Sequence, residues 1–221
     1  FKVLTAAANV EEYLKGNKNA FSPTHVFSSS RYRYVDGRKI KCWSNHANGK
    51  HSNENLQMAL NNSCNPCFVD IALSLGKSKM YEYIEKFGYG KTTGIDFKGE
   101  TPGMLVPESA VTNGDIARIS FGQTIAVMPL QLTYATAAAI NGGVYYEPYL
   151  VKEIYDKYGN VAEIINPKAK RRVIGEEASR IIAKYLETVV RDGSGKQAYI
   201  DGYRVGGKTG TAQKFENGTL A

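Results

Sequence analysis

Two short stretches concentrate the side chains capable of chemistry. The first, Gly206-Gly207-Lys208-Thr209-Gly210-Thr211-Ala212-Gln213-Lys214, sets an ammonium and two hydroxyls among glycines. Glycine has no Cβ, so a ligand or a second backbone can come close. Alternate residues of an extended strand share a face, which predicts that Thr209 and Thr211 line one surface. A strand edge offering N–H groups, hydroxyls and an ammonium suits a carboxylate or a developing oxyanion. Gly202–Thr209 (GYRVGGKT) also fits a phosphate-binding loop literally. Such a loop should follow a buried strand and open a helix, whereas Gly202 follows a charged, turn-like run and Gly210 starts a helix poorly. The second stretch is Ser63-Cys64-Asn65, with Pro66 fixing its exit. A serine and an asparagine two apart at a tight turn can face one cleft. The hydroxyl relays a proton there, and the amide both donates and accepts. Taken alone, the tripeptide also reads as a helix cap.

Cysteine and histidine form a third grouping. Cys64-Asn65-Pro66-Cys67 is a C-x-x-C at a helix start, and Cys42, His46 and His51 lie upstream in a polar loop. This pattern predicts a tetrahedral structural zinc held by Cys42, His51, Cys64 and Cys67, with His46 or Asp70 as alternative ligands. Cys64 lies between Ser63 and Asn65, so its side chain is expected to point away from their cleft. Zinc there would brace the turn rather than join the chemistry. The competing readings are a Cys64–Cys67 disulfide and three cysteines packed as small hydrophobes.

The elements that must position these groups are legible from periodicity. Residues 3–15 read as a helix with Val3, Leu4, Ala7, Val10 and Leu14 at helical spacing. Residues 21–43 read as polar loop with short extended pieces, and 44–53 as loop. A short helix is predicted over 53–61. Another begins at Asn65-Pro66, with Asn as cap and Pro at the first helical position, and stops at Gly76. Residues 78–87 form a second amphipathic helix, and 88–107 a Gly-rich loop. Pro129 opens an alanine-rich helix that ends at Gly142-Gly143. Residues 144–154 and 161–165 read as a hairpin joined by 156–160. Residues 175–192 are an amphipathic helix, and Gly193-Ser194-Gly195 then turns the chain. There is no internal repeat or linker, so one domain over 1–221 is expected.

Composition narrows the class. With 43% hydrophobic and 22% charged residues, the 221-residue chain is globular and long enough to bury a sizeable core. No apolar run is long enough to cross a bilayer. The net charge of +7 is scattered apart from Lys168-Ala169-Lys170-Arg171-Arg172, which reads as a solvated turn before a helix. Nucleic acid is therefore not the expected partner. A basic surface suits an anionic wall or membrane surface.

Ser-x-Asn followed much later by Lys-Thr-Gly-Thr resembles the active-site set of penicillin-binding proteins, most closely their monofunctional class B transpeptidases, including sporulation-type members. The similarity extends through Asn62–Pro66, Thr93-Gly94-Ile95-Asp96, Phe121-Gly122-Gln123, Pro129-Leu130-Gln131-Leu132, Asn141-Gly142-Gly143 and Gly207–Lys214. Phe1-Lys2 looks like the tail of the family's Ser-Thr-Phe-Lys, with the nucleophilic serine two residues before Phe1. The resemblance implies an α+β fold of the penicillin-binding-protein and serine β-lactamase type, an antiparallel sheet covered by helices. The chain is expected to be a segment truncated at both ends that contributes mainly the helices.

The activity implied is peptidoglycan cross-linking, by acyl transfer from D-Ala-D-Ala stem peptides through a serine acyl-enzyme that β-lactams also form. Lys2 would be the base, Ser63 the proton relay and Asn65 the ligand of the peptide amide. Lys208 would supply positive potential, and Thr209, Gly210 and Thr211 would hold the terminal carboxylate and the oxyanion. No cofactor is required for this chemistry. The family implies a membrane anchor preceding this chain, a catalytic domain on the outer face of the cell membrane and a glycosyltransferase partner. It also implies roles in cell shape and antibiotic resistance. The rival readings are a serine β-lactamase and a β-lactam-sensing receptor. No Glu-x-x-Leu-Asn follows Ser63 at a useful distance, which argues against the class A β-lactamase.

Overall fold

The computed structural model describes residues 1–44, 46 and 51–212, together with the backbone of 215–216 and 219–220. Gln213 and Lys214, at the end of the glycine-rich stretch, lie outside the described residues.

Helix α1 (Lys2–Leu14) is the centre of the molecule. Its residues from Leu4 to Glu12 are all buried, so it has no broad solvent face over that span. Ala6, Ala7 and Ala8 in succession let helices approach from several directions. Its polar residues are satisfied across long sequence gaps. The Thr5 hydroxyl donates to the Ser120 carbonyl at 2.8 Å. The Asn9 amide donates to the Phe21 carbonyl and accepts from the Phe21 N–H, at 2.8 and 2.9 Å. Glu11 accepts from the Gly175 N–H at 2.7 Å, and Glu12 from the Tyr83 hydroxyl at 2.7 Å. Burial alone would raise the Glu12 pKa, but bonds from Asn17 and Tyr83, with the Lys79 charge, outweigh it and hold the group below its usual value.

The hairpin β1 (Tyr32–Val35) and β2 (Arg38–Lys41) comes next, paired Tyr32 to Lys41 through Val35 to Arg38. Arg33 fixes it with a bidentate bond to Asp70, both oxygens at 2.6 Å. Asp70 lies on the second of three consecutive helices: α2 (Leu56–Asn61), α3 (Asn65–Leu75) and α4 (Lys77–Lys86). Asn55 caps α2 by accepting from the Met58 N–H at 3.0 Å. Asn65 is not the cap of α3, as the sequence suggested. Cys64 occupies that position without a side-chain cap, and the Asn65 amide instead donates to the Lys41 carbonyl at 3.3 Å.

A short ladder, β3 (Met104–Leu105) with β4 (Ile125–Ala126), brackets α5 (Asn113–Ile119). Thr112 and Asp115 close a reciprocal capping box at the start of α5. Then α6 (Pro129–Ile140) begins where Gln131, fully buried, accepts from the Met128 N–H and donates to the carbonyls of Lys91 and Pro102. This gives the Pro-Leu-Gln-Leu motif a structural duty, the anchoring of the 91–102 loop.

The expected 144–165 hairpin is half right. Strand β6 (Glu153–Tyr155) does pair with β7 (Val161–Ile164). Strand β5 (Val144–Tyr146) pairs instead with β8 (Ala169–Arg172), so the basic run is a strand and not a turn. The reason lies in side-chain alternation. Tyr145 turns inward to full burial, and Arg171 opposite it lays its guanidinium 4.3 Å from the ring centroid. The long helix α7 (Glu176–Arg191) closes the core against α1, α2 and α6. A final ladder joins β9 (Phe215–Glu216) to β10 (Thr219–Leu220).

Among the described residues, all five ladders are two-stranded and antiparallel, and helices form most of the core. None of these helices is long and apolar enough to cross a membrane. Gly143 marks the tightest passage of the chain. Its φ is +87°, and a Cβ would sit 1.9 Å from the Ile174 carbonyl oxygen. Gly143→Ala is therefore expected to lower the stability of the purified chain by about 2–3 kcal/mol. The urea midpoint measures this, and an unchanged midpoint would contradict the packing described.

Candidate active site

The first turn of α1 brings the Lys2 ammonium to the Ser63 hydroxyl, at 3.2 Å from Nζ to Oγ. The two residues are 61 positions apart, and the meeting depends on α1 and the α2–α3 turn being held in one register. The rings of Phe68 and Phe121 each lie 5.7 Å from Lys2 Nζ. Phe121 belongs to the Phe-Gly-Gln motif, so that motif builds a wall of the lysine's pocket. Burial, and then the charge of Lys208, bring the Lys2 pKa down to about 8. Burial also brings Lys208 down to about 8. Two amines with pKa values lowered to about 8, one of them acting on the other through its charge, are suited to proton transfer.

Ser63 has φ +55°, the left-handed region where a side chain strains the backbone. The turn tolerates this because its flanks are tied down. Asn61, at the end of α2, receives bonds from two directions. Its side-chain oxygen accepts from the Thr188 hydroxyl at 2.8 Å, and its carbonyl from the Ser194 N–H at 2.8 Å. The Asn62 carbonyl accepts the indole N–H of Trp43 at 3.0 Å. Trp43, 67% exposed, passes unmarked by any sequence motif yet sits beside the turn.

The glycine-rich stretch lies along α7. The Gly207 N–H donates to the Leu186 carbonyl at 3.2 Å, and a Cβ on Gly206 would meet the backbone of Leu186 and Glu187 at 3.4 Å. Close approach is thus what Gly206 permits, and the approaching partner is a helix. Residues 204–212 have no regular secondary structure, contrary to the expected strand. A strand needs a neighbour to take its backbone groups, and among the described residues none pairs with this stretch. Lys208 Nζ donates to the hydroxyl and carbonyl of its neighbour Thr209, at 3.0 and 3.3 Å. Thr209 in turn meets the Ser194 hydroxyl at 3.2 Å. Ser194 therefore bridges Asn61 and Thr209, a link that the sequence marked only as a turn. Gly210 and Thr211 are exposed.

Beneath the turn lies a cluster of sulfur and nitrogen. One ligand atom each from Cys42, His46, His51 and Cys64 falls within 4.8 Å of the others. Cys67 is not in that group. Its thiol donates to Glu54 at 3.4 Å and it belongs to a second set with Glu54 and Cys64. Asp70 is in neither set, and its carboxylate is paired with Arg33. All three cysteines are buried and free, so the alternative Cys64–Cys67 disulfide is not formed. The neighbouring Cys64 thiol, then burial, push the Cys42 pKa up to about 12.

Comparisons with known proteins show the family of the chain. Residues 1–220 match the penicillin binding protein transpeptidase domain. The chain belongs to that family, and its fold is the α+β transpeptidase fold. It is 42% identical to stage V sporulation protein D of Bacillus subtilis over 219 residues, which is 99% of this chain and 33% of that protein. It is 29% identical to the peptidoglycan D,D-transpeptidase FtsI of Escherichia coli over 190 residues, 86% of this chain and 29% of that one. The chain thus spans about a third of the length of these curated relatives. Penicillin binding protein 3 of Mycobacterium tuberculosis, complexed with aztreonam, superposes with a TM-score of 0.86 at 25% identity, over 98% of this chain and 48% of that one. The transpeptidase domain of Burkholderia pseudomallei penicillin-binding protein 3 gives 0.82 at 22% identity, over 100% of this chain and 62% of that one.

The strain at Ser63 makes a prediction. Ser63→Gly removes the hydroxyl and relieves the backbone, whereas Ser63→Ala removes the hydroxyl and keeps the strain. The glycine variant should be the more stable by about 1 kcal/mol. Equal chemical-denaturation midpoints would show that the turn is not strained.

Proposed function

We propose that this chain forms the greater part of the active site of a serine D,D-transpeptidase that cross-links peptidoglycan. The observation that carries the reading is the Lys2–Ser63 contact at 3.2 Å, on a lysine whose pKa lies at about 8. The nucleophile is a serine two positions before Phe1, one helical turn from Lys2. Neutral Lys2 takes the serine proton as Oγ bonds to the penultimate D-Ala carbonyl carbon. The C–N bond then breaks and the terminal D-Ala leaves, with Ser63 passing the proton to its amine. An amine of a neighbouring stem attacks the acyl-enzyme and releases the serine. Asn65 binds the peptide amide. Lys208, Thr209, Gly210 and Thr211 take the carboxylate, and the Thr211 N–H stabilises the oxyanion.

β-Lactams acylate the same serine. The protein is anchored in the cell membrane with this domain on its outer face. It works beside a glycosyltransferase, contributes to cell shape and is a locus of antibiotic resistance. The acyl transfer needs no cofactor. A structural zinc braces the site, and its support is the Cys42, His46, His51 and Cys64 cluster.

Mass spectrometry of the intact protein with penicillin tests the reading. A stable adduct on the peptide containing the serine before Lys2, with transfer of a stem peptide to an amine acceptor, is expected. Rapid release of penicilloate would make it a β-lactamase, and an adduct without transfer a sensor. The pH dependence gives a second test. Because the Lys2 pKa is depressed, its base form is populated above about 8 rather than above 10.5, and acylation should climb through that pH. Lys208→Ala removes a charge that lowers the Lys2 pKa, so the climb should move to higher pH while the rate falls roughly two to three orders of magnitude. An unmoved profile would remove Lys208 from this role.

A further inference from the structure

The basic run and the Thr93–Asp96 motif, neither of which the acyl transfer uses, meet at one cavity. It spans about 420 Å³ between the end of α4, residues 91–93 and strand β8, a size at which small ligands are held. Tyr145 lines it and is only 2% exposed, yet its hydroxyl has no hydrogen-bond partner among the described residues. Gly88 keeps the space at that hydroxyl open, since a Cβ there would stand 2.7 Å from the oxygen. Burial, only partly offset by the charge of Arg171, holds the Tyr145 pKa above its usual value. The hydroxyl therefore keeps its proton and can donate it to whatever enters.

Charge points the same way. Four cations, Lys86, Lys91, Lys170 and Arg171, line the cavity against two carboxylates, Glu82 and Glu85, which leaves a balance of four less two, or +2. Both carboxylates are already engaged. Glu82 meets Lys79 and Lys86 at 2.7 and 2.6 Å, and Glu85 meets Lys91 at 3.6 Å. Glu100 lies near enough to feel Lys170, but its oxygens accept from the N–H groups of Thr93 and Gly94 at 2.7 and 3.1 Å. Lys170 and Arg171 form no ion pair among the described residues. Arg171 is nonetheless fixed in place. Its guanidinium carbon lies 4.3 Å from the Tyr145 ring centroid, and Nε and Nη2 donate to the Lys86 and Glu85 carbonyls at 2.6 and 3.4 Å. Those bonds leave Nη1 unused.

We propose that this cavity binds a phosphate group, with Arg171 and the Tyr145 hydroxyl as fixed donors and Lys170 completing the charge. A guanidinium, a phenol and an ammonium on separate elements suit a tetrahedral oxyanion with several peripheral oxygens better than a planar carboxylate. The rest of the cavity admits what carries the phosphate, either a small phosphomonoester or one unit of a polyol-phosphate polymer. The site does not rest on the transpeptidase reading and is built from residues which that reading leaves unused.

The test uses the intact protein in low-salt buffer. Titration calorimetry with inorganic phosphate, glycerol 3-phosphate and a glycerol phosphate trimer should show saturable binding that acetate at equal ionic strength does not match. Tyr145→Phe removes one oxygen that has no partner in the free protein, so the urea midpoint should not fall, while affinity drops about tenfold. Lys170→Glu, at an exposed position, should weaken binding at least as much. Tighter binding of glycerol 3-phosphate than of the trimer would assign the site to a small phosphomonoester, and the reverse order to a polymer. No saturable heat with any of the three phosphates, or acetate binding as tightly as they do, would overturn the proposal. Wild-type affinity in Tyr145→Phe or in Lys170→Glu would overturn it equally.

Discussion

The burial of α1 on all sides is the constraint on which the rest of this structure depends. A helix with a solvent face can slide or rotate a little at modest cost. This one cannot, because its mid-section is enclosed and its buried polar side chains are each tied to a fixed partner on another part of the chain. An unpaired buried polar group costs about 1–3 kcal/mol, so a shift by one residue would lose several such bonds at once. The partners come from the end of α5, the loop at Phe21, the start of α7 and the middle of α4. The core thereby sets the axial position of α1, and with it the reach of Lys2 toward Ser63. A short polar contact at the surface of the cleft is determined by bonds deep inside.

The second organising point is the end of α2. Asn61 collects Thr188 from the last turn of α7 and Ser194 from the segment that follows, and Ser194 also touches Thr209. Three stretches far apart in sequence are thus held together around a turn that is itself strained at Ser63. Strain of this kind persists only where the surroundings over-determine the geometry. Here the surroundings are Asn61 on one flank and, on the other, Trp43, Asn65 and the sulfur–nitrogen cluster.

Much of this was legible in the sequence, for identifiable reasons. The α1, α3, α6 and α7 helices announce themselves by apolar spacing and by Gly or Pro at their ends. The capping box at Thr112 and Asp115 was there to be read too, and would have revealed α5. Strand partners were less accessible. Residues 144–146 could pair with either the 161–164 or the 169–172 segment, and the choice was made by Tyr145 finding an inward pocket and Arg171 covering it. Composition cannot express that tertiary preference. Lys-Thr-Gly-Thr suggested a strand because its threonines are β-branched, but strand formation is a property of two segments and not of one. Among the metal candidates, spacing favoured Cys67 over His46, since a C-x-x-C is compact. Helix geometry instead turned Cys67 toward Glu54, and the loop delivered His46.

The convergence on Asn61 bears on how such a cleft diversifies under selection. Ser63 and Asn65 are tied into the site by contacts of their own side chains. Thr188 and Ser194 lie outside that turn, yet each sets where it sits. At Gly193 the choice is closed, since a Cβ there would come within 2.7 Å of the Asn61 carbonyl oxygen. Heritable variation in cleft shape therefore has two open doors and one shut one, all more than a hundred residues along the chain from the turn they govern. Sequence surveys confined to the motifs would miss it.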